Sequence, residues 1–242
     1  MGTHTTPMRE GVAQGSDRSA IVATLAAAGI VAPILFTVAF IAQGLLRPEY
    51  SHVAMPVSAL ATGPSGWVQN LNFFIFGFLM TAYAIGLHLG VRPSRAGLVG
   101  FAFLLLSGAG LVLAGVFPLE VDASGAIRAG QVLHPVAGFM SFLGAGFGLI
   151  AMSRGMTGDP RWRSLAAYAL ASGVAIVVVF LIIGASATRP DAPLYPWLGL
   201  VQRVALAVWF PCTIVLALRL LRVAKEPMRH VSQTPSAPKE RP

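Results

Sequence analysis

Six stretches of the chain run almost without charge: residues 19–46, 68–91, 96–117, 131–153, 164–188 and 197–218. Each holds 22 to 28 residues, and about 20 apolar residues carry an α-helix across the hydrocarbon core of a bilayer. The polar residues collect between these stretches, together with Pro and Gly. This pattern predicts an all-α, polytopic membrane protein with six transmembrane helices. The first stretch is too long for the core of a signal peptide and runs into Arg47-Pro48 without a convincing cleavage site, so it is expected to stay as the first helix. Residues 1–18 are expected to form a disordered cytoplasmic tail, 19–222 the six-helix transmembrane domain, and 223–242 a disordered, basic cytoplasmic tail, because neither tail can bury a core.

Composition agrees and adds an orientation. Hydrophobic residues make up 55% of the chain and charged residues 11%, against about 25% charged in a soluble domain. The net charge of +8 would suggest nucleic acid on a soluble protein. Here the basic residues sit at helix ends, as a membrane arranges them, and nucleic acid is not expected as a partner. With the N-terminus inside, thirteen of the 17 Lys and Arg fall in inner segments, leaving Arg47, Arg128 and Arg189 in outer loops and Arg203 inside the sixth helix. That bias puts both termini in the cytoplasm of a multi-pass inner (plasma) membrane protein. Trp67 and Trp197 open helices on the outer side and Trp162 precedes one on the inner side, all at positions expected for an interfacial belt. Outer segments 47–67, 118–130 and 189–196 are longer than the inner turns, which makes the outer face the expected working face. The single Cys212 excludes an intramolecular disulfide.

Some polar residues need an explanation in such a chain. Arg203 lies six residues past Trp197, about 9 Å deeper along a helix. A charge at that depth should face the bundle and be paired. Glu120, Asp122 and Asp191 are the expected partners on its side, and Glu49 is the remaining acid there. Either the ion pair locks the sixth helix in place, or Arg203 holds an anionic headgroup or substrate. Gln69 and Asn72, at the start of the second helix, share a face. They are expected to cap and bond neighbouring helices, to complete the hydrogen bonds of Arg203, or to face a ligand. Pro118 stops the third helix, and Glu120 and Asp122 follow. His134-Pro135 is expected to open the fourth helix, with Pro in the first turn. His52, His134, Glu120 and Asp122 together have ligand chemistry suited to Zn²⁺, without the spacing of a recognised motif. His88 and His134 fall at opposite membrane faces, so haem is not expected, nor is another cofactor. The small-residue spacings Gly86-x-x-x-Gly90 and Gly144-x-x-x-Gly148 are read as close helix packing.

Three stretches carry a resemblance to a known family. They are SALATGPSGWVQNLNF at 58–73, AGVFPLE at 114–120 followed by His134, and GLVQR at 199–203. In these the chain resembles the DUF998 family of six-helix bacterial and archaeal membrane proteins, whose function is unknown. The family's Phe-Pro-x-Asp pattern is here Phe-Pro-Leu-Glu, ending at Glu120. The resemblance implies the six-helix architecture and places the three stretches on the outer side.

The function expected from these residues is a polar site at the outer face, formed by Gln69, Asn72, Glu120, Asp122, His134 and Arg203. It would bind a lipid headgroup, a small solute or a protein partner without catalysis. The competing reading is an intramembrane hydrolase or transferase acting on a lipid or isoprenoid with His134 and Glu120. Expected partners are the bilayer and a lipid or small-molecule ligand at the outer face, with a homo-oligomer left open.

Overall fold

The computed structural model describes residues 7–118 and 129–226, with side chains from residue 17 onward. Six helices follow one another: α1 (Pro7–Leu45), α2 (Gly66–Gly90), α3 (Arg95–Val116), α4 (Ala129–Thr157), α5 (Arg163–Ala187) and α6 (Leu198–Lys225). Short 3₁₀ turns at Val57–Ala61 and Tyr195–Trp197 precede α2 and α6. The described residues contain no strand, and all six helices are long and apolar enough to cross a membrane. Each helix packs on its neighbours in sequence and α6 closes against α1, so the bundle is a ring of six antiparallel neighbours.

The interior is marked by periodicity rather than by hydrophobicity, since lipid-facing residues are equally apolar. On α2 the buried residues Phe76, Met80, Tyr83 and Leu87 recur at helical spacing, and on α6 Ala205, Trp209, Cys212, Leu216 and Leu220 do the same. Aromatic rings fill the centre. Phe36 lies 4.6 Å from Phe76 and 5.8 Å from Phe210, centroid to centroid, and Trp209 touches Phe76, Phe142 and Phe210.

Close approach of α3 and α4 depends on glycine. A Cβ on Gly144 would stand 2.8 Å from the Phe103 carbonyl oxygen and the Ser107 nitrogen, and one on Gly110 would stand 2.7 Å from the Ser141 nitrogen. At that distance the Ser107 hydroxyl donates across the pair to the Ser141 carbonyl at 2.7 Å. The Gly86 and Gly90 spacing packs the same way, with Gly86 against Leu25 and Gly90 against Leu220. Because rigid backbone lies opposite Gly144, Gly144→Ala should lower stability by about 1–3 kcal/mol. Gly184→Ala, with nothing within 4 Å of the added carbon, should be neutral or mildly stabilising. Thermal unfolding of the two purified variants in one detergent checks the contrast.

The end of the bundle that carries the termini is closed by a polar lock. The carboxylate of Asp159, 0% exposed, accepts hydrogen bonds from the Arg92 and Arg161 backbone N–H groups and from the Arg161 guanidinium at 2.7 and 3.0 Å. Arg161 and the Trp162 indole both donate to the Gly90 carbonyl, and Arg219 donates to the Arg161 carbonyl at 2.6 Å. The Ser19 hydroxyl donates to the Ala224 carbonyl, tying the two terminal helices together. His88 stacks on Phe101 at 4.3 Å.

Four expectations change here. Trp162 is not a lipid-facing belt residue: its indole N–H donates to the Gly90 carbonyl at the end of α2, and the ring is fully buried. Pro135 does not open α4. The helix is described from Ala129, which places Pro135 in its interior and His134 beyond the first turn. Helix α1 begins at Pro7 rather than Ser19; a helix satisfies its own backbone and continues past the apolar stretch. Likewise α6 runs to Lys225, where Arg222 and Lys225 occupy the last turn and complement its dipole.

Candidate functional site

At the opposite end, the 47–65 loop folds over the mouths of α1, α2 and α6. Gly199 makes this possible: a Cβ there would stand 2.3 Å from the Met55 carbonyl oxygen. The loop is fastened by the Leu200 N–H to the Val53 carbonyl at 2.9 Å, and by the Gln202 side-chain oxygen, which accepts from the Val57 N–H at 2.7 Å. Arg203, one residue on, completes the fastening. Its Nη1 donates to the Met55 and Gly199 carbonyls at 3.2 and 2.9 Å, and its Nη2 to the Tyr50 hydroxyl and His52 Nδ1 at 2.8 and 3.0 Å. The guanidinium also lies 5.6 Å from the Phe40 ring centroid and 5.8 Å from that of Tyr50. On the far side of the loop, Arg47 donates to the Thr62 carbonyl and the Ser65 hydroxyl. Gly63, at φ +74°, makes the turn between them.

These bonds fix protonation states. His52 accepts from Arg203 on Nδ1, so its proton is on Nε2 and the ring is neutral. Burial, and next the Arg203 charge, hold its pKa below the ordinary histidine value. The ring rests on Gly44, where a Cβ would meet Nε2 at 2.5 Å. Burial raises the Tyr50 pKa despite the bond from Arg203, and the phenol donates in turn to the Met55 and Pro56 carbonyls.

Beneath the loop lies a row of buried amides. Gln43 Nε2, in the final turns of α1, donates to the Ala39 carbonyl at 3.3 Å and to Gln69 Oε1 at 3.0 Å. Asn72 Nδ2 donates to the Phe36 carbonyl at 3.2 Å and to the same Gln69 Oε1 at 3.3 Å. The Ala39 and Phe36 carbonyls turn the Gln43 and Asn72 nitrogens toward Gln69, and Gln69 meets both with its oxygen. Two atoms are left over. Gln69 Nε2, on a residue 0% exposed, and Gln43 Oε1, on a residue 9% exposed, have no partner within the protein. Each such atom costs about 1–3 kcal/mol if nothing meets it.

The site residues expected from the sequence divide accordingly. Gln69 and Asn72 bond each other and α1 rather than completing the hydrogen bonds of Arg203. Glu49 and Asp191 are solvent-exposed, and the hydrogen bonds of Arg203 go to neutral acceptors. Glu120 and Asp122 lie outside the described residues. His134 is buried, packs edge-on against Phe73 at 6.1 Å, and donates from Nδ1 to the Phe117 carbonyl at 2.9 Å, satisfying an acceptor at the end of α3. His52 and His134 thus have separate partners, and among the described residues no three His, Cys, Asp or Glu side chains cluster to hold a metal ion. Gln43, Tyr50 and Gln202 did not stand out in the sequence. A polar residue near the end of a span, an aromatic beside a histidine, and a glutamine next to a buried arginine were the available signals.

The described parts of the three stretches, 58–73, 114–118 and 199–203, therefore meet at one end of the bundle: the first is the loop and the amide helix, the second holds His134 through the Phe117 carbonyl, and the third is the loop's fastening. A family model, DUF998, described as a protein of unknown function, matches residues 30–219. The chain belongs to the DUF998 family. No curated protein and no solved structure matches this DUF998 protein.

Proposed function

We propose that this DUF998 protein displays its loop-covered end on the outer side of the plasma membrane and there binds a lipid headgroup or small solute without catalysis. The observation that carries the reading is the pair of buried, unmatched amide atoms, Gln69 Nε2 and Gln43 Oε1. A bundle with no ligand to meet would gain stability from apolar residues at both positions. The distribution of Lys and Arg supports the orientation.

Both parts are open to experiment. Cys212 is buried, so Ser51→Cys supplies an accessible thiol on the exposed loop; a membrane-impermeant maleimide should label it in intact cells. Solvent extraction of protein purified in mild detergent should release a bound species that is missing from the Gln43→Met/Gln69→Met double variant. Labelling only after cell disruption, or identical extracts from both proteins, would sink the corresponding part.

One observation favours a second reading. With its proton held on Nδ1 by the Phe117 carbonyl, His134 keeps its ring lone pair on Nε2, as a general base or metal ligand does. Recovery of a chemically altered lipid from wild type, and of the unaltered lipid from His134→Gln, would favour the intramembrane enzyme acting through His134 and Glu120.

A further inference from the structure

The end of the bundle that carries the termini holds more positive charge than its described acids neutralise. Arg161 is paired with Asp159 at 2.7 Å, and Arg219 lies 3.8 Å from Glu226. Arg92, Arg95, Arg154, Arg163, Arg222 and Lys225 are exposed, and none of their side chains bonds a described residue. Two of these cations flank one seam. Arg154 is in the last turn of α4 and Arg163 is the first residue of α5. The turn between them is tight: the Arg163 N–H donates to the Asp159 carbonyl at 2.9 Å, and the Asp159 N–H to the Met156 carbonyl at 3.1 Å. Farther along, the two helices meet at their backbones, since a Cβ on Gly173 would stand 2.6 Å from the Gly146 carbonyl oxygen. Arg154 lies eight residues from Gly146 and Arg163 ten from Gly173, about 12 and about 15 Å along their helices. The two arginines therefore stand within about one turn of the same level on touching helices.

Helical spacing puts an apolar strip below each arginine. Phe147 stands seven residues before Arg154, and Leu170 and Val174 stand seven and eleven after Arg163. These three are 41%, 42% and 45% exposed, so both strips face away from the bundle. Length sets their level in a membrane. No charge falls between Arg163 and Arg189, and those 26 positions cover about 39 Å, close to the ~40–45 Å of a bilayer with its headgroups. Arg163 is thereby at headgroup level, with the strips running into the hydrocarbon.

We infer that Arg154 and Arg163 bind the phosphate of an anionic phospholipid, phosphatidylglycerol by charge type, whose acyl chains lie along the α4–α5 seam. This site is at the other end of the bundle from the one proposed above and is independent of it. Charge decides the class. A guanidinium meets a phosphate through parallel N–H bonds, and two guanidinium groups carry more charge than one phosphodiester. The acid in this turn, Asp159, is buried and already holds Arg161. A choline or ethanolamine headgroup would bring a third cation to a place without a free carboxylate among the described residues; a glycerol headgroup brings none.

The test titrates the full chain, purified in mild detergent, with dioleoyl phosphatidylglycerol or dioleoyl phosphatidylcholine, and reads bound lipid by native mass spectrometry. Wild type should prefer phosphatidylglycerol, and Arg154→Gln/Arg163→Gln should bind it at least about tenfold more weakly, as loss of one charged hydrogen bond implies. Arg95→Gln/Arg222→Gln, which removes the same charge from the same end but not from this seam, should bind within about twofold of wild type. Thermal unfolding without added lipid shows that the variants are folded. If the first pair is not, Arg163→Gln alone serves instead, because Arg163 bonds no described residue and stands at the unfavourable end of its helix dipole. Equal binding of the two lipids by wild type would overturn the anionic assignment. Equal weakening by the control pair would make the attraction a property of the whole end and overturn the seam. Displacement of the lipid by an equal concentration of glycerol phosphate would overturn the part played by the acyl chains.

Discussion

Replacing Arg203 with leucine should open the loop at 50–57 without unfolding the six-helix bundle. The guanidinium is the common donor for two loop residues, one loop carbonyl and one carbonyl of its own helix. A hydrogen bond to a charged group contributes about 1.5–3 kcal/mol. Arg203 is half-buried, and Tyr50 keeps its bonds to Met55 and Pro56. The loss is therefore expected at about 3 kcal/mol rather than the sum of four bonds. It should appear as faster hydrogen exchange confined to the loop, because local opening draws on the least buried contacts first. Arg203→Lys should recover only part of it, since an ammonium has three donors on one nitrogen and cannot divide them between two sites. Acid should act on the same latch through His52. The ring accepts from Arg203 only when neutral, and its pKa in the closed loop lies below the ordinary value of about 6.5. The open loop binds the extra proton. Closure is therefore fully stable above about pH 6.5 and weakens as the pH falls below it. His52→Ala should abolish that dependence; unchanged exchange in Arg203→Leu would show that the loop is held by something else.

The six helices were legible because crossing a bilayer imposes a length and excludes charge, and both leave marks in any single sequence. Which face of each helix points inward left almost none. Phe76 is buried and Phe78, two residues along the same helix, is 55% exposed; lipid and core reward the same residue type. Arg203 was legible as a residue needing partners, since a deep charge is rare and costly. Its acceptors were not, because two are backbone carbonyls, which every residue carries. A search by sequence looks for carboxylates, the partners that residue type can reveal. Gln43 escaped for a related reason: four residues from Arg47, it passes as an ordinary interfacial side chain until Gln69 is seen against it. Trp162 misled in the opposite direction. Its place at a helix end suits an interfacial indole, and only the packing of Gly90 across from it shows that the N–H points inward.

Loss of the Asp159 carboxylate should be the most damaging change at the other end of the protein. Asp159→Ala leaves the Arg92 and Arg161 N–H groups without their acceptor and frees Arg161, whose guanidinium also holds Gly90, from its counter-ion. Breaking a buried pair by removing one partner costs about 3–5 kcal/mol. The Arg161 side chain is 37% exposed, which allows water to take over part of its solvation and sets the expectation at about 3 kcal/mol. Because this lock joins the 91–94 turn, the 158–162 turn and α6 through Arg219, the effect should be global and lower the unfolding temperature in detergent. The pH dependence has a definite sign. Burial pushes the Asp159 carboxyl up, but the hydrogen bonds from the Arg161 side chain and from the backbone of Arg161 and Arg92, with the Arg161 charge, outweigh it and hold the pKa below the ordinary value. The unfolded chain takes up the proton first on acidification. The stabilisation is therefore complete above about pH 5 and is lost as the pH falls through about 4 toward the depressed native value. Wild type should lose stability steeply over that interval, and Asp159→Asn, already without the charge, should show a flatter acid limb from a lower starting point. Parallel acid limbs for the two proteins would mean that Asp159 does not titrate with unfolding and that the lock is held by its other bonds.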